Sequence, residues 1–222
     1  MARPKVPLIS RRRALEAALQ IADSEGLAAL SMRRLGEALN VNGASLYYHF
    51  KNKEDILVGT THLALADVTT PRSEHDSWRA WLPLNTRRTR QALIAHPGLI
   101  PVMLRRASLG IGAKEVEASI RRLEAEGVPI EAVVPLMESL ELVAIVSALQ
   151  EVGQRGGWEH EDADLSALAA IRRAESARSL TSGDLFESLC TAVIASVETA
   201  VKLKQVRKAR ANRPAPLDAR RG

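Results

Sequence analysis

The segment 129–152 leaves this chain little choice of fold. Val133, Leu136, Met137, Leu140, Val143, Ala144 and Ala148 recur at spacings of three and four, the period of one helix face. Val134, Leu142, Ile145 and Val146 add apolar residues on the other faces. A helix apolar nearly all round is a buried one, and a stripe wider than one neighbour needs points to a subunit interface. Pro129 suits its first turn. Elsewhere Ala, Leu, Glu and Arg are abundant and alternating β-branched runs are absent. The expected fold is all-α, with other helices packed around this one.

At 222 residues and 46% apolar content, one or two domains can each bury a core. No apolar run approaches ~18 residues, so no membrane span is expected. The N-terminus lacks the apolar stretch and cleavage site of a signal peptide, and a cytoplasmic chain is expected. Cys190 is the single cysteine and can form neither an intrachain disulfide nor a cysteine metal cluster. Charge is unevenly placed. Residues 1–53 carry nine Lys/Arg against four Asp/Glu, a net of +5. Residues 54–201 carry fourteen against twenty-one, or −7, and 202–222 carry eight against one, or +7. A basic head on an acidic body suggests that the head meets a polyanion.

Residues 1–9 read as a flexible basic arm. Ser10, Ser31, Asn42 and Asn52 can each cap a helix. The expected spans are roughly 11–25, 32–39, 43–49 and 53–68, with Gly26 and Asn40 as stops. Further helices are expected near 78–95, 99–105, 113–126, 129–152, 165–177 and 184–206. Asp76 or Ser77 is the expected cap of the first of these, Gly127 the stop after the third, and 207–222 a disordered basic tail.

Asn42 to Lys53 concentrates unusual chemistry. Tyr47, Tyr48 and Phe50 are three of only seven aromatic residues; Gly43, Ala44 and Ser45 precede them, and Lys51 and Lys53 follow. Small groups permit close approach, tyrosine reaches bases or phosphates, and lysine neutralises phosphate. Two short helices joined by a tight turn, the second opened by a small residue, form a helix-turn-helix.

The run from Leu30 to Leu57, and above all Leu46-Tyr-Tyr-His-Phe-Lys-Asn-Lys53, resembles the tetracycline-repressor (TetR) family of bacterial transcriptional regulators over roughly residues 10–60. The resemblance implies an all-α homodimer, with a three-helix DNA-binding domain (10–53) followed by a helical ligand-binding and dimerisation domain (54–206). It places Ser31, Met32 and Arg33 near phosphates, with Arg33 able to reach a base. It places Gly43, Ala44 and Ser45 at the amino end of the recognition helix, Tyr47, Tyr48 and His49 toward DNA, and Lys53 on a phosphate. Leu46 and Phe50 point inward. A core role for Tyr48 and a helix-capping role for His49 are the competing readings. Gly43 and Ala44 depart from relatives that carry a polar side chain there.

A weaker likeness to the tetracycline-repressor branch runs from Ser77 to about residue 104. It implies that Asn85 and Thr89 line an inducer cavity, and it puts Met103 where that branch has a magnesium-binding histidine. The expected pocket is therefore apolar, with Met103, Met137 and Trp81 as walls and no metal or cofactor. Gly110-Ile-Gly112 lacks a third glycine, and His160-Glu-Asp162 with Asp164 lies on an acidic stretch, so an enzyme is the weakest reading. The expected function is a repressor released from a palindromic operator by a small molecule, dimerised through its C-terminal helices. A ligand-independent dimeric DNA-binding protein or an activator is the alternative.

Overall fold

The computed structural model describes residues 9–66, 68, 77–105, 112–153 and 169–211. Within them the helices are α1 (Arg11–Glu25), α2 (Met32–Ala38), α3 (Gly43–Leu46), α4 (Lys53–Ala64), α5 (Trp78–Ala95), α6 (Ile100–Arg105), α7 (Ala113–Ala125), α8 (Ile130–Val152), α9 (Ala169–Ser176) and α10 (Ser182–Ala211). A single 3-10 turn, Pro97–Leu99, leads into α6. No strand occurs among the described residues.

Side chains set the first four helix starts. Ser10 accepts from the Arg13 N–H, Ser31 from Arg34, Asn42 from Ala44 and Asn52 from Asp55, each bond satisfying a donor the helix leaves open. Stops follow the same logic. Gly26 and Gly127 take φ of 83° and 87°, and Asn40 takes 52°, a left-handed conformation that asparagine tolerates. The start of α5 departs from expectation. Asp76 lies outside the described residues, and Ser77 makes no capping bond. The Glu126 carboxylate instead reaches across from the end of α7, 2.5 Å from the Trp78 N–H and 3.4 Å from the Trp81 indole nitrogen. Arg122 holds it at 3.0 Å.

Three apolar clusters organise the chain. In the first, Leu15, Ala18, Leu30, Leu35, Leu46, Phe50 and Ile56 bind α1 to α4 together. Ile9, expected in the flexible arm, is buried there too. The second lies around α8, where Val133, Leu136, Met137, Leu140 and Ala144 meet Trp78, Trp81 and Leu82 of α5 and Phe186 and Cys190 of α10. The third lies between them and includes Leu65, Val68, Leu93, Leu99, Ile100, Met103, Ile145 and Ala148.

By length and composition α8 could cross a membrane, with a mean hydropathy of 1.9 over its most apolar window. Its inner face is instead packed against α5 and α10. Ile130, Val134, Leu142, Val146, Leu149 and Val152 remain exposed on its outer side. Arginines of α5 clamp the neighbours: Arg79 to Glu198 and Arg87 to Glu187 of α10, and Arg90 to Ser147 and Glu151 of α8. Cys190 is buried, and the lost solvation pushes its thiol up to about 11, which leaves it unreactive.

Several boundaries differ from the expected ones. The α3 helix ends at Leu46 rather than His49. There the chain turns so that Phe50 enters the first core. The α4 helix ends at Ala64, four residues early, because Leu65 and Val68 turn into the third cluster. The α9 helix is described from Ala169, so Leu165 and Leu168 lie outside the described residues. The α10 helix runs on to Ala211, past the expected end at 206; Arg207 to Ala211 are strong helix formers with no proline among them. On α10 the buried residues are Phe186 and Cys190, while Leu185 and Leu189 of the expected stripe are exposed.

Two predictions follow from these contacts. At Glu126 burial acts to raise the carboxyl, but the Trp78, Arg122 and Trp81 donors and the Arg122 charge outweigh it and hold it below its ordinary value. A carboxyl more acidic when folded stabilises fully above the ordinary glutamate range and loses that contribution as pH falls through its folded value. Glu126→Gln should therefore cost about 1–2 kcal/mol at neutral pH, with the gap to the parent protein closing as pH falls below the ordinary glutamate range, measured by urea unfolding. At Gly36, a Cβ would lie 3.0 Å from the Val41 carbonyl and 3.2 Å from the Gly43 nitrogen, so a side chain there presses on the backbone of the turn. Gly36→Ala should destabilise by about 1–3 kcal/mol in the same assay.

Candidate nucleic-acid interface and helical cavity

The α2–turn–α3 unit is held from behind. Leu35 and Leu46 are fully buried, and the Val41 N–H donates to the Gly36 carbonyl at 2.9 Å. In front, Met32, Arg33, Gly36, Glu37, Asn40, Val41, Asn42, Gly43, Ala44 and Tyr47 line an open concavity. Five of the expected DNA contacts, Met32, Arg33, Gly43, Ala44 and Tyr47, thus come together on one surface. Tyr47 and Tyr48 are 61% and 78% exposed, which removes the core reading of Tyr48. Exposed tyrosines at the end of a short helix can reach phosphates or base edges.

The remaining candidates are partly committed within the protein. Ser31 is half-buried and spends an oxygen lone pair on its cap; Ser45, within α3, is half-buried too. His49 does not cap its own helix: its Nε2–H donates to the Ile9 carbonyl at 2.9 Å, which ties the start of α1 to the segment after α3. Only Nδ1 of that ring stays available. The Lys53 ammonium donates to the Leu27 carbonyl at 3.0 Å and keeps two further N–H donors for a phosphate. Arg33 Nη1 donates to Glu37 at 2.5 Å, while Arg34 bonds Glu25 through two nitrogens. That hydrogen-bonded pairing lowers the Glu25 pKa and raises that of Arg34. Arg34 is therefore a structural link between α1 and α2. Arg11 plays the same part between α1 and α4, bonding Asp55 at 2.9 Å and so lowering its pKa.

Sequence reasoning did not single out Gly36 or Glu37. Glu37 was legible as the i+4 partner of Arg33. The need for glycine at 36 depends on how closely the turn folds back, which no local pattern shows.

A second concave site lies in the body. Trp81, Asn85, Thr89, Met103 and Met137, the five candidates for a ligand site, all line one cavity, with Leu65, Val68, Leu82, Thr86, Ser119, Leu140, Glu141 and Ala144. Its cavity volume is about 70 Å³, and it opens to solvent at its mouth. Its walls come from α5, α6, α7, α8 and the turn after α4. Thr86 and Thr89 turn their hydroxyl protons back to the Leu82 and Asn85 carbonyls, at 2.9 and 3.1 Å. The Asn85 amide and the Ser119 hydroxyl add polar groups, and Glu141 is the one ionisable residue of the lining. Leu65, Val68 and Ser119 were not expected here, because they arrive from distant elements; Glu141 lies one turn beyond Met137 on α8. Among the described residues no group of three His, Cys, Asp or Glu could hold a metal ion. The acidic stretch with His160, Asp162 and Asp164 lies outside the described residues.

Residues 14–59 match the model of the bacterial regulatory proteins of the tetR family, and residues 70–201 match the tetracyclin repressor-like C-terminal domain. The tetracycline repressor protein class A from transposon 1721 of Escherichia coli is 32% identical over 166 residues, covering 69% of this chain and 74% of that one. An HTH-type transcriptional repressor of Mycobacterium tuberculosis is 32% identical over 124 residues, 53% of this chain. The match spans about half of that repressor, 48% of its length. Among solved structures, the TetR family protein ActR of Streptomyces coelicolor, in complex with (S)-DNPA, superposes with a TM-score of 0.70 at 27% identity. That match covers 88% of this chain and 99% of ActR, which has also been solved in complex with actinorhodin. A matching DNA-binding model, a matching C-terminal model and these relatives leave one conclusion: the chain belongs to the TetR family of transcriptional regulators.

Proposed function

We propose that this regulator is a homodimeric repressor that holds a palindromic operator and is released when a small molecule fills the cavity beside α8. One observation carries the reading. Val102 and Met103 are neighbours on α6, yet Val102 is buried in the core of the DNA-binding helices and Met103 in the cavity wall. A ligand that displaces Met103 therefore pushes on an element embedded in the head. The junction is tight elsewhere too. A Cβ on Gly98 would lie 3.3 Å from the Ala22 carbonyl, and His96 Nδ1 lies 2.8 Å from Asp23 of α1. A close-packed joint passes on small displacements. Release then requires only that the ligand bind one arrangement of the heads better than the other.

In this reading the DNA-binding unit is residues 10–53, completed by Ile56 and Leu57 of α4, and residues 54–206 form the body. The exposed apolar residues Leu142, Val146 and Leu149 of α8 and Leu185 and Leu189 of α10 form the dimer face. Two recognition helices about 34–36 Å apart then meet successive major grooves. Acting on chromosomal DNA places the protein in the cytoplasm. The lining suits a largely apolar ligand with a few hydrogen-bonding groups. The ligand complexes of ActR support a ligand-responsive body. A ligand-independent DNA-binding protein would have no use for such a cavity.

Two outcomes are expected. Tyr47→Ala combined with Lys53→Ala should weaken binding to every DNA sequence and make the slope of log affinity against log salt shallower by about 2 for the dimer, one lysine–phosphate contact per subunit. Fluorescence anisotropy across a salt series reads this, and an unchanged slope would remove Lys53 from the interface. Asn85→Ala should leave operator affinity unchanged but raise by about 3- to 10-fold the concentration of a releasing compound found by screening neutral aromatic molecules. Equal response of both proteins would place the ligand elsewhere.

A further inference from the structure

The concavity between α2 and α3 is lined by two residues charged at neutral pH, Arg33 and Glu37. A carboxylate on a surface meant for DNA lowers affinity, because phosphates repel it. Glu37 therefore does something that affinity alone does not ask for. Its Oε1 accepts from Arg33 Nη1 at 2.5 Å, across one helical turn. The Arg33 side chain is otherwise free, 83% exposed.

Hydrogen-bond readout in this concavity has few other sources. Gly43 and Ala44 carry no polar side chain, and the Asn42 oxygen is spent on the Ala44 N–H at 3.0 Å. An unrestrained arginine at such a surface settles on the nearest phosphate, which carries no sequence information. Tethered through one nitrogen, the guanidinium keeps the rest of its five donors, enough for the two-pronged contact to guanine O6 and N7. Part of the side-chain entropy of reaching a base is then already spent before DNA arrives.

We propose that Glu37 is a positioning residue that sets sequence preference, holding the Arg33 guanidinium in the α2–α3 concavity so that it meets a guanine edge rather than a phosphate. This rests on the reading of that surface as the DNA-binding face. The test is selection from random duplex DNA by the full-length protein and by Arg33→Ala, Glu37→Ala and the double variant, followed by titration of the selected site and of unrelated DNA at one salt concentration. Glu37 is exposed and outside the cores, so the variants should unfold at the parent temperature.

Glu37→Ala is expected to lose preference at one base pair per half-site, on the order of tenfold, and at the same base pair that Arg33→Ala affects. Its affinity for unrelated DNA should be equal to or above that of the parent, since a negative charge has been removed. In the Arg33→Ala background the Glu37 substitution should change preference no further. Retention of full preference by Glu37→Ala, or a loss that persists without Arg33, would overturn the assignment while leaving DNA binding intact. Selection of no sequence by the parent protein would instead overturn the DNA-binding reading and this assignment with it.

Discussion

The burial of α8 is the constraint on which the body depends. Val133, Leu136 and Ala144 retain no exposed surface, and Leu140 retains 1%. Each buried side chain of this kind contributes about 1.5–3 kcal/mol when it leaves water, so the inner face of α8 cannot stay unpartnered. The α5 and α10 helices cover it, and their relative placement is then fixed by ion pairs between them. Those pairs are largely exposed and contribute little stability each. They act on register: Arg79 with Glu198 and Arg87 with Glu187 can form together only if α5 and α10 run antiparallel.

Where the walls of this bundle are small, space is left. Ala144, Thr86 and Ser119 stand at the cavity beside larger neighbours. Protein interiors are otherwise packed like organic crystals, so a void costs stability. This one lies beside α6, where Met103 is part of its wall. The same short helix contributes Val102 to the head and Met103 to the cavity, so the two regions share an element rather than merely touching.

The head is built by a different physics. Its helices are too short to be stable alone, and α3 has only four residues. They persist because caps satisfy their open N–H groups and because Leu35, Leu46, Phe50 and Ile56 close one small core. Two long-range bonds, His49 to the Ile9 carbonyl and Lys53 to the Leu27 carbonyl, tie down the loops at its edges. Residues that look purely DNA-directed in the sequence thus also hold the domain together.

Much of this was legible from one dimension. Caps are local: Ser10, Ser31, Asn42 and Asn52 bond N–H groups two or three residues on, so the sequence by itself determined the first four helix starts. The all-α class and the inner face of α8 follow from a 3.6-residue period, which is also local. The aromatic and basic wording from Leu46 to Lys53 marked the recognition segment for the same reason. What the tertiary structure alone decided is everything that depends on arrivals from afar. Glu126 replaces Ser77 as the cap of α5 from 48 residues away, Leu65 and Val68 end α4 by turning into a core, and Gly36 is required by a backbone that folds back on it. Ser119 joins the cavity by the same route. Periodicity shows which face of a helix is apolar, but only close packing shows what it meets.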